Sequence, residues 1–352
     1  MPSMVYQSGK KQSLSMKKEY KTGLIIGKFY PFHAGHRFLI ETGLKSVQKL
    51  TVIVCQSDRY KIPAGVRSRW IKKTFPIVDV KIFYHSASLD SDSPDISIIW
   101  ADITKKFLGF TPDIVFSSEI YGEYYSKYMG SKHSLVDLER KNFPISGTKI
   151  RSDVYENWRY LPDATKSFFT QKIVILGAES TGTTTLSRDL AKHYGTVWAP
   201  EYGRLYYEGR MFSKNQTDWS TDEFIHIAKS QNLLENALLK KANKLLICDT
   251  DAFATTLWHE RYVGNESLEL SQVVKKEKPL LCILTDIDIP FVQDGTRDGE
   301  HIRTNMHNRF IERLGEEGTN YIIVSGSKEK RLADSIAEIE KSLSIFLQPI
   351  SP

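Results

Sequence analysis

The chain has 352 residues, 41% hydrophobic and 26% charged, with 48 basic against 42 acidic side chains for a formal charge of +6. That length exceeds a typical single core and suits two domains, and the composition is that of a folded globular protein, which excludes the disordered and fibrous classes. The modest positive balance fits small anionic ligands as readily as nucleic acid; no apolar run approaches the roughly 18 residues of a membrane span, and residues 1–22 lack the apolar centre of a secretory signal, so a cytoplasmic protein without membrane contact is expected. Cys55, Cys248 and Cys282 lie in apolar segments without paired spacing, which predicts buried free thiols.

Residues 1–20 hold Lys10, Lys11, Lys17 and Lys18 against Glu19 and predict a disordered basic tail. From Thr22 onward, apolar runs at Leu24 to Gly27, Leu50 to Cys55, Val80 to His85 and Asp113 to Ser118 read as strands. Helical patterns at His36 to Gln48, Val66 to Phe75 and Asp95 to Phe107 separate them. Strand and helix in alternation predict a doubly wound parallel sheet with its ligand at the carboxyl ends of the strands. The first strand runs into Gly27-Lys28-Phe29-Tyr30-Pro31-Phe32-His33-Ala34-Gly35-His36. Such a strand, loop and helix junction presents free N–H groups and the positive end of a helix dipole, which favours phosphate. His33 and His36 can both reach phosphate oxygens from there; without a third ligand nearby they make a poor zinc site. Ser57, Asp58, Arg59, Arg67 and Arg69 are placed either to line that crevice or to face solvent.

The pattern G-x-F-x-P-x-H-x-G-H resembles the first signature of the nucleotidyltransferase superfamily. Ile145-Ser146-Gly147-Thr148-Lys149-Ile150-Arg151 resembles its second, I-S-x-T-x-x-R. The resemblance implies a Rossmann-like nucleotidyltransferase domain, expected over residues 21–156. In it Gly27, Lys28, Phe29, Ser146 and Thr148 bind ATP, and His33, His36 and Arg151 align its phosphates and stabilise charge on them.

Residues 157–171 read as a linker, and a second α/β domain is expected over residues 172–350. Its first strand, Lys172 to Leu176, leads into Gly177-Ala178-Glu179-Ser180-Thr181-Gly182-Thr183-Thr184-Thr185 and then an amphipathic segment, Leu186 to His193. This is the layout of a phosphate-binding loop with hydroxyls placed for magnesium, except that Thr183 stands where G-x-x-x-x-G-K-[ST] has its lysine. Thr196 to Ala199, Lys244 to Cys248, Leu280 to Thr285 and Tyr321 to Val324 read as further strands, and Asp222 to Lys241 and Lys328 to Leu347 as helices. Glu201, Asp249 and Asp251 follow strand ends, where carboxylates hold magnesium, accept a hydroxyl proton, or merely cap helices. Gln293 to Arg303 is a charged, glycine-broken loop, read as a lid whose Arg297 or Arg303 supplies the charge missing at Thr183.

The order of parts, with P-E-Y-G-R, C-D-T-D and P-F-V-Q-D-G-T-R-D-G-E in the second domain, resembles the bifunctional nicotinamide-mononucleotide adenylyltransferase/ribosylnicotinamide kinase (NadR) family from Thr22 to Leu347. Some members carry an N-terminal helix-turn-helix domain; about twenty residues precede the first strand here, so DNA binding is not implied. The resemblance implies ATP, nicotinamide mononucleotide and nicotinamide riboside as substrates, NAD as product, and magnesium as cofactor. Gly177 to Thr185 would hold ATP, Thr184 and Asp249 the magnesium, and Glu201 or Asp249 the hydroxyl proton; Arg204, Asp251, Arg297 and Arg303 would contact riboside or phosphate. A nucleotide sensor without turnover in the second domain, and another phosphorylated acceptor such as phosphopantetheine in the first, remain as alternatives. A homo-oligomer is compatible with all of these.

Overall fold

The computed structural model describes residues 18–91, 93–212, 218–274, 278–295, 297 and 299–346. Of the expected basic tail, residues 1–17 lie outside the described residues. The chain divides into two compact units, Met1–Gly147 and Thr148–Ser351; the sequence places that division after residue 156.

In the first unit, β1 (Tyr20–Gly27), α1 (Ala34–Ser46), β2 (Val47–Gln56), α2 (Ala64–Thr74), β3 (Asp79–Tyr84), α3 (Pro94–Leu108), β4 (Ile114–Ser117), α4 (Tyr121–Met129) and β5 (Lys132–Leu135) follow one another. The strands pair in parallel in the order β3-β2-β1-β4-β5. Leu24, Ile25, Val52, Ile53 and Val54 are at most 1% exposed, as befits strands covered by helices on both faces. Successive strands grow outward from β1 to β3 and then return to β4 on its other side. The loops at the carboxyl ends of β1 and β4 therefore splay apart and leave a crevice. The sequence pattern does not announce α4 and β5: tyrosines outnumber aliphatic residues on α4, and β5 has β4 as its neighbour on one side and no strand on the other among the described residues.

At the division lies α5 (Gly147–Ser152), followed by a 3-10 turn at Trp158–Tyr160 and α6 (Asp163–Phe169). The expected linker is thus structured. Trp158, Leu161, Thr165 and Phe169 are buried, and the Tyr155 hydroxyl lies 3.2 Å from the Phe169 carbonyl and 3.1 Å from that of Lys244, which ties the segment to the second unit.

The second unit continues through β6 (Gln171–Leu176), α7 (Thr183–His193), β7 (Trp198–Ala199), α8 (Tyr202–Arg210), α9 (Thr221–Leu238), β8 (Leu245–Asp249), α10 (Ala252–Val263), α11 (Leu268–Val273), β9 (Leu281–Thr285), α12 (Arg303–Glu316), β10 (Tyr321–Val324) and α13 (Lys328–Phe346). Its strands are parallel in the order β10-β9-β6-β8-β7. Again the first strand is central, and the loops after β6, β7, β8 and β9 converge at one edge. Both units are α/β with a parallel sheet, as the alternation predicts. Cys55, Cys248 and Cys282 are free and buried. No helix among the described residues is long and apolar enough to cross a membrane.

Candidate functional site

In the first unit the candidate site forms where β1 gives way to α1. His33 is the N-cap of α1, its backbone extended, and its Nδ1 accepts the His36 N–H at 3.4 Å. The cap explains why the helix begins at Ala34, two residues before the start read from the sequence. His33 and His36 stack with centroids 3.7 Å apart, and Phe29, buried and in the left-handed region at φ 48°, packs its ring 4.9 Å from His36. Burial holds the His33 imidazole well below its usual range and lowers His36 to about 3, and the charge of Arg140 depresses both further. Both rings are therefore neutral near neutral pH, and the enclosed Nδ1 of His36 has no partner among the described residues. Lys28 pairs with Asp90 at 3.6 Å, and Asp90 also accepts from Ser57 Oγ at 2.9 Å and from the Tyr60 hydroxyl. The fully buried Arg67 donates to the carbonyls of Ile62, Cys55 and Lys28, so it braces the loop and does not face solvent. Gly27 ends β1. Ser146 precedes the division of the units, and beyond it Arg151 donates to the Thr148 hydroxyl at 3.2 Å.

In the second unit, Gly177 to Thr185 wraps from the end of β6 onto the start of α7. Ser180 and Gly182 take positive φ, 59° and 85°. A Cβ on Gly177 would lie 2.2 Å from Thr285 Oγ1 and 2.4 Å from Thr181 Oγ1. The Thr181 hydroxyl donates to the Ala178 carbonyl at 2.7 Å and receives the Thr285 hydroxyl at 2.7 Å. Asp249, 2% exposed at the end of β8, has its carboxyl raised by burial, opposed by hydrogen bonds from the Thr184 and Thr183 hydroxyls. Thr183, in the lysine position, thus faces an acid, and Thr185 is exposed. Glu201 is raised to about 7, first by burial and then by the charge of Asp249, with Arg204 opposing and Glu179 adding. Glu179 also accepts the Gly299 N–H at 3.3 Å.

The remaining candidates make contacts of their own within the protein. Asp251, read as a substrate contact, caps α10 by accepting the N–H groups of Phe253 and Ala254 at 3.1 and 3.3 Å, and pairs with Lys172 at 3.1 Å; Lys172 also pairs with the buried Glu235 at 2.9 Å. Arg303 opens α12, is 4% exposed and donates to the Ile289 carbonyl at 3.0 Å. Arg297 meets the Val292 carbonyl and pairs with Asp294 at 3.1 Å, and Asp294 takes Arg204 at 2.7 Å. Residues 296 and 298 of the expected lid lie outside the described residues.

A family model described as an AAA domain matches residues 172–331. The chain is 29% identical over 333 residues to the trifunctional NAD biosynthesis/regulator protein NadR of Escherichia coli, covering 88% of this chain and 80% of that protein, and 28% identical to its Salmonella typhimurium counterpart. This chain is similar to the NadR proteins. A crystal structure of NadR with NAD and AMP-PNP matches with a TM-score of 0.72, and one with NR with 0.74, each at 19% identity and covering 95% and 96% of this chain and 99% and 100% of those chains. At that identity these two matches speak to the fold.

Several residues of this chain escape sequence reading because their signal is spatial. Arg140 acts on the two histidines from the loop after β5, Asp90 holds Lys28, and Arg188, on α7, adds to the field at Asp249. Tyr206, Tyr207, Trp219, Phe224 and Tyr262 form a continuous aromatic cluster, with Arg210 stacked 4.3 Å from Trp219. Among the described residues no group of three or more His, Cys, Asp or Glu is arranged to hold a metal by itself. Thr184 and Asp249 nevertheless fit magnesium, which takes hard oxygen donors, keeps several waters and draws its remaining ligands from phosphate. Gly177→Ala is expected to cost about 1–3 kcal/mol, because its methyl meets two hydroxyls within 2.4 Å. Melting temperature reports it; an unchanged value would show that the loop relaxes freely.

Proposed function

We propose that the chain acts in NAD synthesis through two linked reactions, one in each unit. In the second unit the 5′-hydroxyl of nicotinamide riboside attacks the terminal phosphorus of ATP; the new O–P bond forms as the bridge to ADP breaks, and the hydroxyl proton passes to Glu201. In the first, the phosphate of nicotinamide mononucleotide attacks the α-phosphorus of ATP, giving NAD and pyrophosphate. The observation that carries the reading is a carboxyl raised to about 7, Glu201, under the charge of a buried Asp249 that engages the Thr183 and Thr184 hydroxyls. A base poised there suits an alcohol nucleophile. The relatives and the ligands in the NadR crystals support the choice of nicotinamide.

Bound at Thr184 and Asp249, magnesium supplies charge neutralisation of the phosphate oxygens. The charge that lysine would bring at Thr183 comes instead from Arg204 and Arg188, which both act on Asp249; the buried Arg303 is a weaker source. In the first unit, neutral His33 and His36 act as N–H donors to phosphate.

Two assays on the whole chain test this: ADP formed from ATP and nicotinamide riboside, and pyrophosphate released with nicotinamide mononucleotide. Absence of riboside-dependent ADP would make the second unit a nucleotide sensor, and an inert mononucleotide would send the first toward another phosphorylated acceptor. With Glu201 raised to about 7, phosphoryl transfer should rise about tenfold per pH unit below neutrality and level off above it, because the working form is the carboxylate. A flat profile between about pH 5.5 and 8 removes Glu201 as the base.

A further inference from the structure

Arg331, in the first turn of α13, is 5% exposed. Its Nη1 donates to the Thr181 carbonyl at 2.6 Å, its Nη2 to the Asp286 carbonyl at 3.1 Å and to the Asp288 carboxylate, and its Nε to the Gly326 carbonyl at 3.1 Å. Asp288 in turn accepts the Gly326 N–H at 2.6 Å. One guanidinium therefore gathers the loops that follow β6, β9 and β10, all at the sheet edge where ligands of this fold class sit. Lys328, one turn earlier, pairs with Asp189 of α7 at 2.9 Å, so α13 is anchored to the phosphate-loop helix as well.

The contact with Thr181 has a directional consequence. The Thr181–Gly182 peptide is planar, so a carbonyl held by Arg331 turns the Gly182 N–H to the opposite side, away from the guanidinium. The Thr181 side chain is fixed separately, through Ala178 and Thr285. Arg331 thus holds the carbonyl of that residue, which its own hydroxyl does not. A loop set in advance gives up less conformational freedom when a phosphate binds.

We propose that Arg331, with Asp288, is a positioning residue of the second unit's nucleotide site: it presets the phosphate loop for ATP and acts on ATP affinity, not on the chemical step. This rests on the reading of that loop as an ATP site. Arg331→Lys keeps the charge, but an ammonium cannot spread its donors as the planar fork does; Asp288→Asn keeps the shape and removes the ion pair. The full chain is titrated with a non-hydrolysable ATP analogue, of which the wild type should take up two equivalents. Folded Arg331→Lys, judged by circular dichroism and melting, should retain one site and weaken the other by about tenfold or more. KM for ATP in riboside-dependent ADP formation should rise in step, with kcat, KM for the riboside and NAD formation from the mononucleotide unchanged. Should Arg331→Lys fail to fold, Asp288→Asn reads the same quantities. Two undisturbed sites in a folded variant, or a lower kcat with normal KM for ATP, overturns the assignment alone. A wild type that binds one equivalent and forms no ADP overturns the ATP reading of the loop, and the assignment with it.

Discussion

Replacing His36 by alanine should lower adenylyl transfer to nicotinamide mononucleotide by at least about a hundredfold, the effect of removing one donor from a site that stabilises developing charge. The fold should survive, because the contact that starts α1 uses the His36 backbone N–H and the His33 ring, and neither is lost. Riboside phosphorylation, proposed for the other unit, should not change. His33→Ala provides the contrast: it removes the cap as well, so a stability loss of about 1 kcal/mol should accompany the loss of activity. Pyrophosphate release at saturating substrates, set beside melting curves of both variants, separates the two roles. Normal turnover in His36→Ala would remove this residue from the mechanism.

Asp249→Asn should reduce phosphoryl transfer to the riboside on the order of a thousandfold, since it removes the carboxylate charge that engages both Thr183 and Thr184. The amide oxygen can still accept those hydroxyls, so folding should hold. A second readout follows from the charge balance. Asp249 is the largest charge raising Glu201, so without it the Glu201 carboxyl should fall, and the acid limb of the remaining activity should move to lower pH. A variant that loses activity without that movement would show that Asp249 does not communicate with the base. Unchanged activity would move the cation site elsewhere.

Candidates of equal standing in the sequence part company in space. Glu201 and Asp251 are both acids just beyond a strand, with the same local pattern. Asp251 meets the N–H groups of its own helix and the ammonium of Lys172, whereas Glu201 makes no cap bond and feels the charge of Asp249. Arg303 and Arg331 are both basic residues near the start of a late helix. One donates to Ile289 beside Phe291, the other to the phosphate loop and two neighbouring loops. The segment from Asn157 to Gln171 carries proline and polar residues as a linker does, yet Trp158 and Phe169 anchor it, and burial of aromatic rings outweighs local polarity.

The sequence by itself determined what depends on near neighbours along the chain. Apolar runs of strand length alternating with helical periods specify two parallel α/β sheets, and each first strand followed by a glycine-bearing loop and a helix marks the edge where a phosphate can sit. The histidine pair and the hydroxyl-rich loop are legible for the same reason: their members lie within one or two turns of each other. The tertiary structure alone decided which distant charges meet and which are buried. Only the sheet order brings β8 beside β6, so that Asp249 reaches Thr183 and Thr184, and only close approach in a desolvated pocket lifts Glu201 to about 7. Charge interactions fall with distance through space and strengthen with burial, and neither quantity is written in the spacing of residues along a chain.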